Sequence, residues 1–177
     1  ITGGEHITKI LESYGAGSVF SLAGASHTHL LDPLDRAGMQ IISARHESGA
    51  VGAADGYARI TGKPGVALVI ADQGLANAIG AMAVAWHALS PVITLVAAPP
   101  RTFVEADTGI DQDKLALVSP VSKWARTVPD ISRLSDYLHS AVKHARTGRP
   151  GPVVLMIPQN IFQQKTSASA INARPAP

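Results

Sequence analysis

Residues 66–71 read Val66-Ala67-Leu68-Val69-Ile70-Ala71, an apolar run in which polar and apolar side chains do not alternate. A strand covered on one face would alternate, so this run predicts a strand buried on both faces, as in a parallel sheet between helices. Unbroken apolar runs at 92–97 and 153–157 predict the same. Shorter candidate strands lie at 18–22, 41–44 and 123–127, which makes about six strands in all.

Helical patterns separate these strands, at 5–14, 29–37, 46–61, 75–89 and 131–146. The alternation predicts an α/β fold with a doubly wound, about six-stranded parallel sheet and helices on both faces. Ligands bind such folds at the carboxyl ends of the strands, near the point where the strand order reverses. We therefore expect the site at the loops that begin at Ala23, Arg45, Asp72 and Ala98.

Composition limits the classes of function. The chain has 177 residues, of which 46% are hydrophobic and 16% charged, which suits one globular domain. We place this domain at 1–163 and read the Ala-, Ser- and Pro-containing stretch 164–177 as a linker toward a missing domain. The net charge of +2 is scattered, so we expect no nucleic-acid partner. No segment has the roughly 18 apolar residues of a membrane span, and the lack of Cys favours a reducing, cytoplasmic location.

Glu47 is the candidate catalytic residue. At helical spacing it shares the apolar stripe of Ala50, Val51, Ala54 and Ala58, so the face that packs inward carries the acid with it. Burial disfavours a charged carboxylate, whereas a helix N-terminus and Arg45 favour it, so its affinity for a proton can be tuned. The residues leave a second interpretation open, in which Glu47 caps free backbone amides or pairs with Arg45.

Other polar residues at the same edge have two interpretations. Asp72 and Asn77 follow a buried strand, and either they contact a ligand or Asp72 caps the next helix while Asn77 binds a neighbouring loop. Ser26, His27 and His29 suggest a nucleophile or a metal pair, but the loop lacks a nucleophile-elbow pattern and a third ligand. We favour a capping role for Ser26 and assign no metal ligand.

Small and apolar residues dominate the helices predicted at 46–61 and 75–89. A helix that is apolar nearly all round needs cover beyond one sheet, so we expect a homo-oligomer that associates through these two helices.

The sequence resembles the N-terminal pyrimidine-binding domain of thiamine-diphosphate enzymes, in the acetolactate synthase and benzoylformate decarboxylase group. The resemblance covers nearly the whole chain. It is carried by Arg45-His46-Glu47, Ala53-Ala54-Asp55-Gly56-Tyr57-Ala58-Arg59, Thr61-Gly62-Lys63-Pro64-Gly65, Ser119-Pro120-Val121-Ser122-Lys123-Trp124 and Gly148-Arg149-Pro150-Gly151-Pro152-Val153.

The resemblance implies the chemistry. Glu47 would hydrogen-bond a ring nitrogen of the cofactor's aminopyrimidine and promote the imino tautomer, which generates the ylid that attacks a 2-oxo acid or similar carbonyl substrate. Gly24, Ala25, Gly74 and Asn77 would contact the cofactor. A second domain or subunit would bind the diphosphate and its Mg²⁺, since the chain lacks the family's Gly-Asp-Gly motif. This chain would then supply half a site, either as a fragment or as a small subunit.

The sequence departs from the family pattern in its loops. Ala23 replaces a common Pro, and Ala71-Asp72-Gln73-Gly74 replaces Ser-Gly-Pro-Gly. Ile70 stands where the benzoylformate decarboxylase type has a His that handles protons. Residues 103–107 resemble a Phe-Gln-Glu segment of the synthases without its Gln. The alternative function is therefore a non-catalytic or regulatory partner domain that keeps the fold and the dimer surface.

Overall fold

A computed structural model describes residues 1–103 and 113–167. The strands in these ranges form one six-stranded sheet in the order β2-β1-β3-β4-β6-β5, and all neighbouring pairs are parallel. Their bounds are β1 Ser18–Ser21, β2 Gln40–Ser43, β3 Gly65–Ile70, β4 Val92–Ala98, β5 Trp124–Thr127 and β6 Val153–Pro158. The prediction of a parallel α/β sheet is confirmed.

Seven α-helices accompany the sheet within the described residues. They are α1 Gly3–Ser13, α2 Thr28–Arg36, α3 Glu47–Thr61, α4 Gln73–His87, α5 Lys114–Val118, α6 Leu134–Arg146 and α7 Gln159–Gln163. The five predicted helices are present, with ends shifted by a few residues. The sequence analysis missed α5 and α7, because five residues are too few to show helical periodicity.

Both faces of the sheet are covered, as predicted. One face packs against α1, α2, α6 and α7, and the other packs against α3, α4 and Val118 at the end of α5. Each face of the sheet has its own hydrophobic core. Successive side chains of β3 point into opposite cores, so Leu68 packs with α1, α2, α6 and α7, and Val69 packs with α3 and α4. A strand with two buried faces has no polar positions, which is why 66–71 shows no alternation.

The connection from α3 to β3 is very close. Gly62 ends α3 with a φ of 68°, a left-handed conformation that favours glycine. A Cβ at Gly65 would overlap the carbonyl oxygen of Ala54, so only glycine lets the start of β3 approach α3 so closely. Residues 62–64 therefore form a tight connection between α3 and β3.

The strand order reverses between β1 and β3. These strands are neighbours, but the chain leaves β1 toward β2 on one side and leaves β3 toward β4 on the other. The loops that follow them diverge and leave a crevice, which is the expected ligand position in such sheets.

The last described residues lie against the beginning of the chain. Lys165 forms an antiparallel bridge with Thr2, and Ile1 and Thr166 exchange backbone hydrogen bonds of 2.9 Å. The predicted linker begins at 164 and extends past the described residues, so the division at 163/164 stays a prediction. None of the described helices combines the length and hydropathy needed to cross a membrane.

Candidate functional site

Glu47 is the first residue of α3 and is buried. The preceding residue, His46, has extended backbone angles and caps the helix with its own side chain, which accepts a hydrogen bond from the Ser48 amide. Glu47 is therefore free of the capping role. It is 6% exposed and lies on the same buried stripe as Ala50 and Val51, as the periodicity predicts.

One oxygen of Glu47 is fixed and the other is open. Asn77 Nδ2 donates a hydrogen bond to Oε2 over 3.0 Å. Within 1–103 and 113–167, no hydrogen bond or ion pair reaches Oε1, and Arg45 makes no ion pair with this carboxyl. A buried acid with one unpaired oxygen can exchange a hydrogen bond and a proton with a ligand. The interpretation of Glu47 as a capping or Arg45-paired residue does not describe this geometry.

Gly74 lies close beside that open oxygen because it has no side chain. A Cβ at this position would lie 3.0 Å from Glu47 Oε1 and 2.7 Å from Ile70 Cγ1, closer than side chains pack. Asn77 is the fifth residue of α4, so the start of this helix supplies both the close approach at Gly74 and the hydrogen bond to Glu47. The segment that begins at Asp72 thus lies against Glu47 through Gly74 and Asn77, the two residues of this segment that the resemblance implies as cofactor contacts.

The loop that begins at Ala23 also lies against the side chain of Ile70. A Cβ at Gly24 would lie 2.7 Å from Ile70 Cγ2, so the Ile70 side chain lies between the two glycine positions. Ala25 follows in a short 3-10 turn, Ala25–His27, and is exposed. The structure therefore brings Gly24, Glu47, Gly74 and Asn77 around Ile70, with Ala25 at the edge. Their roles toward a cofactor stay predictions.

His27 is part of the support of the first loop. It is 1% exposed, and its Nδ1 accepts a hydrogen bond from the Gly24 amide over 3.2 Å. Burial lowers the pKa of His27, opposed by an interaction with the Val69 carbonyl. A neutral imidazole whose Nδ1 is engaged in this way holds Gly24 in place.

The other hypotheses for this loop do not fit. The Nδ1 of His27 is committed to Gly24, so it is not placed to activate Ser26, and His29 is exposed on α2. Neither the 3-10 turn nor α2 has a side-chain cap hydrogen bond, so the expected capping by Ser26 is wrong. The described residues contain no group of three or more His, Cys, Asp or Glu side chains able to hold a metal.

A cleft of about 520 Å³ opens next to Ile70 at the carboxyl ends of the strands. Its wall is mainly apolar and includes Gly24, Ala25, Ile70, Ala98, Pro99 and Phe103. Of the segment at 103–107, only Phe103 belongs to the described residues, and it is 49% exposed. The cleft adjoins the acid through Ile70 and offers room for an apolar group beside it.

The capping interpretation of Asp72 is wrong, whereas a ligand contact stays a prediction, since Asp72 is part of the cleft wall. It stands at the N-cap position of α4, but its side chain makes no cap hydrogen bond. Its Oδ1 instead lies 3.0 Å from Nζ of Lys114, in α5. The sequence analysis missed Lys114, because nothing local to residue 114 indicates a partner so distant in the chain.

The residues present fit the aminopyrimidine of thiamine diphosphate. A flat heteroaromatic ring needs an apolar surface and a partner for a ring nitrogen. The cleft wall that includes Gly24 and Ile70 is mainly apolar, and within the described residues no hydrogen bond or ion pair reaches Glu47 Oε1 beside Gly74. The described residues thus provide both.

Comparison with known proteins agrees with this reading. The family described as "Thiamine pyrophosphate enzyme, N-terminal TPP binding domain" matches residues 1–118, and the chain belongs to this family. A catabolic acetolactate synthase of Raoultella terrigena is 35% identical over 175 residues, which cover 99% of this chain and 31% of that protein. Human 2-hydroxyacyl-CoA lyase 2 is 33% identical over 160 residues, covering 90% of this chain and 25% of that protein.

The chain spans between a quarter and a third of the length of these relatives. A probable acetolactate synthase large subunit of Methanocaldococcus jannaschii shows the same relation, since the match covers 90% of this chain and 27% of that protein. The relatives therefore contain further domains, and this chain corresponds to one part of them.

Proposed function

We propose that this chain is the pyrimidine-binding half of the active site of a thiamine-diphosphate-dependent lyase or transferase, in which Glu47 activates the cofactor. The observation that carries the proposal is the state of the Glu47 carboxyl. It is buried, Asn77 fixes Oε2, and none of the residues described by the structure pairs with Oε1, which lies beside Gly74.

Each residue has a physical role in this proposal. When bound, thiamine diphosphate supplies the nucleophilic carbon and the electron sink for breaking or forming a bond next to a carbonyl group. Glu47 Oε1 holds and shares a proton with a ring nitrogen of the aminopyrimidine. Asn77 keeps the carboxyl in one orientation, Gly24 and Gly74 let Ile70 pack close to the backbone, and Ile70 provides an apolar contact that excludes water.

The remainder of the site belongs to another domain or subunit. The greater length of the relatives supports a diphosphate-binding part outside this chain, with Mg²⁺ as the counter-ion of the diphosphate. Whether this part is in the same polypeptide or a separate subunit, this chain alone is inactive. The cytoplasm is its proposed location.

The outer face of α3 and α4 is the proposed oligomer interface. Ile60 is 87% exposed and Val84 is 55% exposed. A Cβ at Gly52, Gly56 or Gly80 would meet no atom within 4 Å, so these positions are open to close approach by another helix. A second copy that packs here would bury both side chains.

The substrate is a 2-oxo acid or a similar carbonyl compound, acted on by decarboxylation or by carbon–carbon bond chemistry. The cleft beside Ile70 supports an apolar substituent, because Pro99 and Phe103 are among its walls. The names of the relatives, acetolactate synthase and 2-hydroxyacyl-CoA lyase, fit this range of chemistry.

A regulatory domain without catalytic function is the second candidate. An ion pair between Glu47 and Arg45, with the carboxyl turned away from the edge of the sheet, would favour it. The hydrogen bond from Asn77 supports the catalytic candidate instead.

Replacement of Glu47 by Gln in the complete enzyme tests the proposal. Gln keeps the shape but cannot share a proton, so we expect kcat to fall by about 10² or more, while the Kd of thiamine diphosphate changes by less than about threefold. Glu12→Gln, at an exposed position, is the matched control and should not change either quantity. Unimpaired turnover in Glu47→Gln would refute the proposal.

A further inference from the structure

Asp72 has a backbone conformation that residues with a side chain rarely adopt. Its φ is 65° and its ψ is −114°. These angles are close to those at the second position of a type II′ turn, about +60° and −120°, which glycine dominates because it has no Cβ. A strained residue persists only where its surroundings hold it, and such strain concentrates at functional sites.

Lys114 is the group that holds Asp72. Its Nζ lies 3.0 Å from Asp72 Oδ1, and the Lys114 and Asp72 side chains are 14% and 11% exposed. The carboxylate is thus directed away from its own helix, α4, and toward α5, which packs against α4 and β5. An ion pair so far removed from water is sensitive to loss of either partner, because the remaining charge is left buried.

The turn at Asp72 controls the surroundings of Glu47. Gly74 lies two residues after Asp72, and a Cβ there would lie 3.0 Å from Glu47 Oε1. Asn77, one helical turn further along α4, donates to Glu47 Oε2. A displacement of this turn therefore moves both groups that define the position of the carboxyl.

We propose that Asp72 and Lys114 form a positioning pair, which fixes the β3–α4 turn so that Gly74 and Asn77 hold Glu47 in its active orientation. The inference rests on the proposed function, because it gives the pair a role in cofactor activation. Both residues act through Gly74 and Asn77 rather than on the reacting atoms.

Four single variants test the pair in the complete enzyme. Lys114→Met removes the cation, whereas Lys114→Arg keeps it. Asp72→Asn removes the anion but keeps a residue type that tolerates positive φ. Arg36→Met is the control, because it removes an exposed ion pair with Asp32, 2.7 Å long, on the opposite face of the sheet.

The first measurement is amide hydrogen exchange of the peptide 70–78 in the absence of cofactor and substrate. We expect exchange about tenfold faster in Lys114→Met and Asp72→Asn, because the turn loses its tether. Lys114→Arg and Arg36→Met should exchange like the unmodified protein. The double variant Asp72→Asn/Lys114→Met should exchange no faster than Lys114→Met. The single variant already lacks the ion pair between residues 72 and 114, so the second substitution removes nothing further from it.

The second measurement is steady-state kinetics. We expect kcat to fall about tenfold in Lys114→Met and Asp72→Asn, with the substrate KM changed by less than about twofold, and Lys114→Arg to restore kcat. If Lys114→Met does not fold, the double variant Asp72→Asn/Lys114→Met replaces it. That variant removes both charges of the pair, so neither is left buried without the other, yet its peptide 70–78 should still exchange faster.

Unchanged exchange in 70–78 together with unchanged kcat, whatever happens to the unfolding temperature, would overturn the positioning role. Glu47→Gln, measured in parallel, separates this failure from that of the proposed function. Loss of turnover in Glu47→Gln with no effect at Asp72 and Lys114 would leave the proposed function standing and the positioning pair refuted.

Discussion

Asn77 donates its side-chain amide to Glu47 Oε2 over 3.0 Å and so joins the first turn of α4 to the first turn of α3. The bond leaves Oε1 as the oxygen available to a ligand. Asn77 itself is exposed, whereas Glu47 is 6% exposed, so the donor reaches inward to an acid at the crevice between the loops after β1 and β3.

Removal of this donor should impair turnover. In Asn77→Ala the carboxyl loses the bond that fixes its orientation, and we expect kcat in the complete enzyme to fall by about tenfold to a hundredfold. Asn160→Ala, on α7 at an exposed position, is the control. Steady-state kinetics provide the measurement, and equal kcat values for the two variants would contradict the role given to Asn77.

Closing the gap at Gly74 should harm both stability and cofactor binding. In Gly74→Ala the new methyl group would lie 2.7 Å from Ile70 Cγ1 and 3.0 Å from Glu47 Oε1. Overpacking of this kind costs about 1–3 kcal/mol of unfolding free energy. Gly151→Ala is the control, because its methyl group would meet nothing closer than 3.8 Å. Urea unfolding and cofactor titration are the measurements, and identical behaviour of the two variants would show that the gap is not needed.

Acid should weaken the fold through His27. Burial lowers the pKa of His27 in the folded protein, so below about pH 6.5 the unfolded chain binds more protons than the folded one. The stabilising contribution of neutral His27 is thus fully present above the unfolded pKa and is lost as the pH falls below it. The free energy of unfolding decreases by at most about 1.4 kcal/mol per pH unit, because one proton is bound at His27.

The His27→Asn variant isolates this contribution. Asn does not titrate, and its Oδ1 is bonded to Cγ as Nδ1 of His27 is, so it can still accept the Gly24 amide hydrogen; the urea midpoint should fall less between pH 7.5 and 5.5, values chosen to span the unfolded pKa of about 6.5. His29→Asn, at an exposed position, should keep the full loss. An equal fall of the urea midpoint in the His27 and His29 variants would refute the claim that His27 causes the acid destabilisation. His6, whose pKa burial also lowers, contributes to the remaining loss in both.

A charge on the outer face of α4 should prevent association of subunits. Val84 is 55% exposed on the proposed interface, and burial of a Glu there without a partner is unfavourable. We expect Val84→Glu to raise the dissociation constant at least about tenfold. Ile42→Glu, on the edge strand β2 with 42% exposure, is the matched control. Analytical ultracentrifugation distinguishes them, and an unchanged mass for Val84→Glu would exclude this face as the interface.

The sequence allowed prediction of the features that depend on local pattern. Apolar runs without alternation predicted β3, β4 and β6, because a strand buried on both faces has few polar side chains, here only Thr94 of β4 among the three. The helical stripe through Ala50 and Val51 predicted that Glu47 lies on a buried face, as it does. The alternation of strands and helices predicted a parallel sheet, with one edge at which the loops before Glu47 and Asn77 could meet.

Features that depend on distant contacts were not predictable in this way. Asp72 has the position and chemistry of a helix cap, yet it pairs with Lys114, because a buried cation from α5 competes with the amides of α4. Ser26 has the chemistry of a cap as well, but α2 begins at Thr28 with His27 at its N-cap position, so Ser26 lies one residue too early to cap it. The helices α5 and α7 were missed, because tertiary packing rather than periodicity stabilises so short a helix.

The most direct test of cofactor activation is the exchange rate of the carbon-bound proton on the thiazolium ring of thiamine diphosphate. It is measured by NMR after rapid mixing of the complete enzyme with D₂O and acid quenching. We expect Glu47→Gln to slow this exchange by about 10² or more while the cofactor stays bound. An exchange rate equal to that of the unmodified enzyme, with the cofactor bound, would contradict the claim that Glu47 activates it.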